Sequence, residues 1–151
     1  MLRNVLESDL RTLFEHQRDP EATRIAVFPA REWDAFLAHW RNKVLADAAT
    51  EARTILINGQ VAGYVASWEN DGKRLVGYWI GKEYWGRGVA PSAVEEFLRA
   101  HERRRPIYAY VARSNARSIR VLEKCGFHRS GEPTVGPDGV EEVLFQFDGA
   151  A

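Results

Sequence analysis

Val-Gly-Tyr-Trp-Ile-Gly-Lys-Glu-Tyr-Trp-Gly-Arg-Gly-Val-Ala, residues 76–90, joins the end of an apolar strand to the start of a helix. Gly86 and Gly88 remove side chains where the helix begins, so consecutive backbone N–H groups can approach an anion closely. The dipole of the helix favours negative charge at the same place. This stretch therefore predicts a strand–turn–helix unit whose turn binds a pyrophosphate.

The segment before this unit predicts a three-stranded antiparallel meander. The expected strands are residues 54–57, 61–68 and 75–80, with Asn58-Gly59 as a strong hairpin turn. A dinucleotide-binding βαβ unit is excluded, because its strand would be parallel and because Pro91 stands where its third glycine belongs. A P-loop is excluded because no Gly-Lys-Ser/Thr follows the glycines.

The first fifty residues predict two helices. The first is capped by Ser8 or Asp9 and ends before Asp19-Pro20. The second follows Pro29, and its apolar residues recur at helical spacing, which is typical of a face that packs on a core. That stripe consists of Trp33, Leu37, Trp40 and Val44.

The segment after the glycine-rich turn predicts helix, strand, helix and hairpin. The first of these helices buries Ala90, Ala93, Val94, Phe97 and Leu98 and ends near Arg103-Arg104-Arg105, where cations suit a helix C-terminus. A strand follows at residues 107–112, and a second helix runs from Asn115 to the C-cap Gly126-Phe127. Two final strands, residues 127–134 and 140–147, are joined by Gly136-Pro137-Asp138-Gly139. This order predicts an α+β protein around one mixed sheet.

Composition excludes several classes of protein. The chain has 151 residues, 45% hydrophobic and 28% charged, which is typical of a single globular domain spanning residues 1–151. Its 21 basic and 21 acidic residues cancel, which argues against nucleic-acid binding. The single cysteine, Cys125, excludes an internal disulfide and a four-thiolate zinc site, and no metal site is expected. The sequence contains no run of about 18 apolar residues that could span a membrane, and its N-terminus lacks an apolar leader. A cytoplasmic protein is therefore predicted.

Residues 76–90 resemble the acetyl-CoA motif of the GNAT superfamily of N-acetyltransferases. That motif is usually Gln/Arg-x-x-Gly-x-Gly/Ala, which Gly88 and Ala90 match, while Trp85 stands at the Gln/Arg position. Tryptophan at that position, together with Gly-Tyr-Trp-Ile-Gly at residues 77–81, is similar to the ribosomal-protein N-terminal acetyltransferase branch. The second motif, from Asn115 to Phe127, agrees with the same family. The resemblance implies a mostly antiparallel mixed sheet of about six to seven strands with about four flanking helices.

The resemblance also implies how acetyl-CoA would bind. Pantetheine would lie between the strand ending at Ile80 and the strand at residues 107–112, and the Ile80 N–H would polarise the thioester carbonyl. Asn115 would line the opposite wall, although capping of its helix is an equally good interpretation. The full set implied for CoA is Trp79, Ile80, Gly81, Trp85, Gly86, Arg87, Gly88, Val89, Ala90, Asn115, Ser118 and Lys124.

The catalytic groups are less well specified by the sequence. Many relatives have a tyrosine that acts as the general acid at the position of Leu122 in this chain. The resemblance implies that Ser118 replaces it and hydrogen-bonds the leaving thiolate. Ser118 could instead bond back to its own helix. Glu69 is excluded as the general base, because it lies beside a hairpin turn, far along the strand from Ile80. Five candidates for the base stay open: Glu141, Glu142, Tyr78, His39 and a water relay.

The function implied is acetyl transfer from acetyl-CoA directly to a primary amine, on either a protein N-terminus or a small molecule. The alternative is a non-catalytic acyl-CoA sensor or partner subunit that keeps the CoA-binding turn. A homodimer is a further possibility, because such sheets often pair at an edge.

Overall fold

The computed structural model describes residues 1–136 and 138–149, and within them the predicted α+β architecture is confirmed. One mixed sheet carries eight strands, and five α-helices lie against it. The helices are Leu10–Arg18 (α1), Pro20–Ala26 (α2), Trp33–His39 (α3), Val89–Ala100 (α4) and Ala116–Lys124 (α5). The strands are Leu2–Asn4 (β1), Glu51–Ile57 (β2), Gln60–Asn70 (β3), Lys73–Ile80 (β4), Ile107–Ala112 (β5), His128–Arg129 (β6), Thr134–Val135 (β7) and Glu141–Phe147 (β8).

The sheet runs in the order β1-β2-β3-β4-β5-β8-β6, and β7 also pairs with β8. All neighbouring strands are antiparallel except β4 and β5, which are parallel. The predicted meander is β2, β3 and β4. The strand count exceeds the expected six to seven, because β1 adds a short strand and because the predicted strand 127–134 is divided into β6 and β7 around Gly131 at φ 83°.

One helix more than expected lies in the first part of the chain. Asp19 and Pro20 end α1 as predicted, but they also start α2, since the Asp19 carboxylate accepts the N–H groups of Glu21 and Ala22. Proline at the first helical position suits this start. Asp9 occupies the N-cap position of α1, as predicted, but its side chain makes no capping hydrogen bond, because the carboxylate accepts from Arg3, Thr54 and the Leu6 N–H instead.

The parallel pair β4–β5 is short and opens into a cleft. Its register is fixed at Leu75 and Tyr108, and β4 continues past this pair to Ile80. On the closed side of the split, the buried Glu102 carboxylate accepts from Arg74 Nε at 2.8 Å and from the Ser67 hydroxyl. This network ties β3 and β4 to the segment that leads into β5, while the two strands themselves pair only near their starts, at Leu75 and Tyr108.

Two apolar clusters fill the interior. The larger packs α4 and α5 on the sheet, with Val94, Phe97 and Phe145 almost fully buried. The smaller packs α1 and α3 on the other face, around Leu10, Leu13, Phe14, Phe36 and Trp40. The predicted stripe of the second helix contributes to this smaller cluster, and a π-helical segment, Trp40–Leu45, extends α3 along it.

The C-terminal ends of α4 and α5 follow the predicted chemistry. Arg105 donates to the Leu98 carbonyl at 2.7 Å, so this part of the arginine run caps α4 as expected. Gly126, at φ 93°, ends α5, and the Phe127 N–H reaches back to the Leu122 carbonyl. Of the predicted final turn, Pro137 lies outside the described residues.

No helix in ranges 1–136 and 138–149 combines the length and apolar character that a bilayer crossing requires. The same ranges contain no cluster of three or more His, Cys, Asp or Glu side chains suited to a metal ion.

Candidate active site

A cleft of about 410 Å³ lies where β4 and β5 separate. Its walls come from the end of β4, the turn that follows, the start of α4, and α5, while α2 closes a further side with apolar side chains. Its lining residues are Ala22, Ile25, Ala26, Tyr78, Trp79, Ile80, Tyr84, Trp85, Gly86, Gly88, Val89, Ala90, Pro91, Asn115, Arg117, Ser118, Arg120, Val121 and Lys124.

Ten of the twelve residues expected to contact CoA line this cleft. The two that do not are Gly81 and Arg87. Gly81 is buried under the His16 ring. Arg87 is exposed, with its guanidinium 5.7 Å from the centre of the Tyr84 ring.

The turn that opens α4 has the backbone shape expected of an anion cradle. Gly86 and Gly88 have φ values of 76° and 72°, a region that side chains disfavour. A Cβ atom built on either glycine meets nothing within 4 Å, so the space over the turn is open to a ligand. Pro91 falls in the first turn of α4, where its missing N–H removes no intrahelical bond.

Backbone groups at the end of β4 differ in their availability. The Gly81 N–H donates to the Ala62 carbonyl at 2.8 Å, and the Gly81 carbonyl accepts the Tyr84 N–H, so both groups have partners within the protein. Hydrogen bonds alternate along an antiparallel pair, which directs the Ile80 N–H away from β3 and toward the cleft. The Ile80 carbonyl accepts the Trp85 indole N–H at 2.9 Å.

The α5 wall of the cleft is cationic. Arg117, Arg120 and Lys124 lie at offsets of three and seven on one helix face, and no Asp or Glu occurs among the described residues that line the cleft. The Arg117 guanidinium stacks 4.3 Å from the centre of the Trp85 ring. Sequence reasoning missed both arginines, although their helical spacing from Lys124 is visible in the sequence.

Asn115 and Ser118 occupy the first turn of α5. The Asn115 side-chain oxygen accepts the Ser118 N–H at 3.2 Å, which confirms that Asn115 caps the helix. The Ser118 hydroxyl does not bond back to its own helix, since its partner in the described chain is the Tyr78 hydroxyl at 2.6 Å. Leu122 is 1% exposed and belongs to the larger core, so position 122 offers the cleft no polar group.

The residues considered as general base differ in their position relative to the cleft and in their ability to accept a proton. Burial raises the pKa of Tyr78 to about 12, so its phenol stays protonated near neutral pH and is unsuited to removing a proton. His39, Glu141 and Glu142 do not belong to the cleft lining. Cys125 is buried, its S–H points to the Pro91 carbonyl, and burial raises its pKa to about 11, which disfavours a nucleophilic thiolate.

His16 is the most unusual buried group near the cleft. Both ring nitrogens are inaccessible and lack a hydrogen-bond partner among the described residues, and Nε2 lies 3.9 Å from the Glu83 carboxylate. Burial lowers the pKa of His16, while the Glu83 charge opposes that shift. A neutral ring packed on Gly81 therefore anchors α1 at the end of β4.

Comparisons with known proteins agree with this geometry. The aminoglycoside acetyltransferase AAC(6')-Ib, in complex with coenzyme A and kanamycin, is 26% identical, with 98% of this chain and 94% of that chain covered and a TM-score of 0.77. A spermidine N-acetyltransferase from Vibrio cholerae, in complex with CoA and spermine, is 19% identical over 98% and 94% of the two chains, with a TM-score of 0.80. A GNAT-family acetyltransferase from Bacillus anthracis is 17% identical over 97% and 93%, with a TM-score of 0.78. No match was found among curated protein sequences.

The family model described as acetyltransferase (GNAT) domain matches residues 1–128, which include the whole of the glycine turn and α5. The ribosomal-protein branch suggested by the sequence is not confirmed, since the similar structures include aminoglycoside and spermidine acetyltransferases. The splayed parallel pair, the glycine turn and the family match lead to one conclusion: the chain belongs to the GNAT acetyltransferase family, whose members take their acetyl group from acetyl-CoA.

Proposed function

We propose that this protein transfers the acetyl group of acetyl-CoA to the primary amine of a small molecule. The observation that carries the proposal is the cleft itself, which joins an open glycine turn, a cationic helix face and a hydroxyl pair in one space. An anion cradle alone would suit any phosphate ligand. The cleft continues from the glycine turn to Tyr78, Trp79 and Ile80 at the end of β4, which suits a phosphate ligand with an extended amide arm.

The residues of the cleft fit the parts of CoA. The turn Gly86–Ala90 and the start of α4 would hold the pyrophosphate through backbone N–H groups. Arg117, Arg120 and Lys124 would neutralise phosphate charge, and Arg87 could fold in from the surface. The Ile80 N–H would bond the thioester end, where acetyl-CoA supplies an activated acetyl group.

Direct transfer within one complex is the mechanism these residues favour. The Ile80 N–H would stabilise the oxyanion that forms when the amine attacks the thioester carbon. Ser118 would donate a hydrogen bond to the sulfur as the thiolate leaves. A covalent route through Cys125 is disfavoured by its burial and its raised pKa. The base that removes the ammonium proton is unassigned, with water as the simplest acceptor.

A small-molecule acceptor is favoured over a protein N-terminus by the similar structures, which include enzymes named for aminoglycosides and for spermidine. A protein N-terminal acceptor, a homodimer and a cytoplasmic location stay predictions.

The experiment is an amine panel with wild-type protein, in which free-thiol release from acetyl-CoA is followed. The panel contains kanamycin, spermidine, a simple monoamine and a short peptide with a free N-terminus. We expect amine-dependent thiol release with at least one small-molecule amine. Tight binding of acetyl-CoA without amine-dependent release would support the alternative, a non-catalytic CoA-binding module. Release with the peptide alone would overturn the small-molecule assignment.

A further inference from the structure

The opposite walls of the cleft are joined by one side-chain contact close to the expected reaction centre. Tyr78 projects from β4 and Ser118 from the first turn of α5, and their hydroxyl oxygens lie 2.6 Å apart. Both residues line the cleft. Tyr78 and Ile80, which carries the expected oxyanion donor, are two residues apart on β4, so their Cα atoms lie roughly 6–7 Å apart along the strand.

The hydroxyl groups of Tyr78 and Ser118 carry one proton that their mutual hydrogen bond does not need. Two hydroxyl groups carry two O–H protons, and the bond between them consumes one. The Tyr78 hydroxyl also lies 3.4 Å from the Ser118 carbonyl, so the phenol proton has two acceptors on Ser118. That arrangement favours the phenol as donor and leaves the Ser118 proton free to turn into the cleft.

The residue at position 122 shows why the Tyr78–Ser118 contact matters. On α5 itself, Leu122 is buried in the core and offers the cleft no polar group. In this chain a phenol reaches the cleft from the opposite wall, on β4 rather than on α5.

We infer that Tyr78 is a positioning residue for acetyl transfer: its phenol holds the Ser118 hydroxyl so that the Ser118 proton is presented to the departing thiolate of CoA. The inference rests on the proposed function. In the step itself, the amine lone pair forms a C–N bond to the thioester carbon, and the carbonyl π pair moves to oxygen. When that pair returns, the C–S bond breaks and its electrons go to sulfur, while the surplus ammonium proton goes to water.

The pair acts by hydrogen bonding rather than by complete proton transfer. A thiol has an ordinary pKa of about 8.5, and burial raises the pKa of Tyr78 to about 12. Moving the phenol proton fully onto the thiolate would therefore be uphill by roughly three orders of magnitude. A neutral phenol behind a neutral serine is a stable donor across the pH range in which amines are acetylated.

The test measures the acidity of the CoA thiol when free CoA is bound to the protein, by following the ultraviolet absorption of its thiolate as pH is varied. No acceptor amine is needed. The Cys125 thiol, with its pKa raised to about 11, ionises above the working range. The cations Arg117, Arg120 and Lys124 are the same in all variants, so differences between variants report the hydroxyl pair.

We expect Ser118→Ala to make the bound thiol about tenfold less acidic, since a hydrogen bond to a charged group is lost. Tyr78→Phe should reduce the acidity at least threefold, and the double variant should resemble Ser118→Ala, because the two hydroxyls act in series. Ser118→Thr, which keeps a hydroxyl, should stay near wild type. The matched control is Tyr110→Phe, which removes a phenol from an exposed position on β5 and should change nothing.

If the Tyr78–Ser118 contact only holds β4 against α5, Tyr78→Phe would lower thermal stability without altering the acidity of the bound CoA thiol. A change of less than threefold in Tyr78→Phe, with CoA still bound, would overturn the inference and leave the proposed function intact. If Tyr78→Phe does not fold, the inference is tested with Ser118→Ala instead. An unchanged acidity of the bound CoA thiol in that variant overturns the inference. Failure of wild-type protein to bind CoA would overturn the proposed function itself.

Discussion

Gly88 shows how one residue sets the chemistry of the cleft. Its φ of 72° lets the chain turn into α4 with backbone N–H groups facing outward, and the space where a Cβ would stand is empty. A valine there would strain the backbone and fill the space expected for phosphate oxygens. The residue is therefore expected to matter more for CoA than for the fold.

We predict that Gly88→Val weakens CoA binding at least about tenfold, or ~1.4 kcal/mol, while the circular dichroism spectrum stays that of a folded protein. The matched control is Gly72→Val in the β3–β4 turn, where φ is 78° and a Cβ also meets nothing within 4 Å. The control should suffer the same backbone strain and keep its CoA affinity, as measured by calorimetric titration. Equal losses in both variants would assign the effect to strain alone.

His16 gives a second prediction, on pH. Burial lowers the pKa of this ring in the folded state, so below the ordinary value of about 6.5 the unfolded chain binds a proton that the folded chain rejects. The contribution of His16 to the free energy of unfolding should be at its full value above pH 6.5. It should decline by up to about 1.4 kcal/mol per pH unit as the pH falls toward the depressed pKa.

The measurement is urea unfolding between pH 7 and pH 5, with His16→Phe beside wild type. The variant should lose the share of the slope that belongs to His16 and keep the share from His39, whose pKa is lowered by burial and by nearby Arg31 and Lys43. Identical slopes in the two proteins would show that the ring ionises without leaving its site.

Helix α5 combines two roles at its start, and they can be separated. Asn115 caps the helix through the Ser118 N–H, and it also faces the cleft. Asn115→Ala should lower the free energy of unfolding by about 1 kcal/mol. Asn115→Asp should keep the cap and the stability, but its negative charge should weaken CoA binding. Wild-type affinity in Asn115→Asp would limit Asn115 to capping.

The elements around the cleft could be predicted because their signals are local. Gly86 and Gly88 mark a turn, and Asn115 and Gly126 mark the two ends of α5, so each is visible within a few residues. Helix α2 was missed although Asp19-Pro20 is also a start signal, because the same pair was interpreted only as the end of α1. The Tyr78–Ser118 contact joins residues forty positions apart, and no local pattern specifies such a pair. The buried state of His16 depends on how α1 packs against Gly81, which is equally non-local.

The whole molecule is a sheet that is closed at one end of β4–β5 and open at the other. At the closed end the Ser67–Arg74–Glu102 network ties β3 and β4 to the segment that leads into β5, whereas the open end is bounded by α2, the glycine turn and α5. A ligand that fills the open end should therefore stabilise the folded state as a unit.

Acetyl-CoA at 100 times its dissociation constant should add ~2.7 kcal/mol to the free energy of unfolding, which is roughly 5–10 °C in Tm for a chain of this size. NAD and ATP at the same concentration should give clearly smaller shifts, because they lack the pantetheine arm. Thermal melts with the three ligands check this. Equal shifts would mean that the cleft binds phosphate without recognising CoA.

Acetyl transfer to an amine yields two products, the free CoA thiol and the N-acetylated amine, and counting both in one reaction tests the proposed function most directly. With the best amine of the panel, released thiol and N-acetylated amine are quantified together, the second by mass spectrometry. We predict one acetylated amine for each thiol released, and a rate that falls about tenfold in Ser118→Ala, which loses the hydrogen bond to the leaving thiolate. Thiol release without acetylated amine, or a Ser118→Ala rate within threefold of wild type, would contradict this prediction.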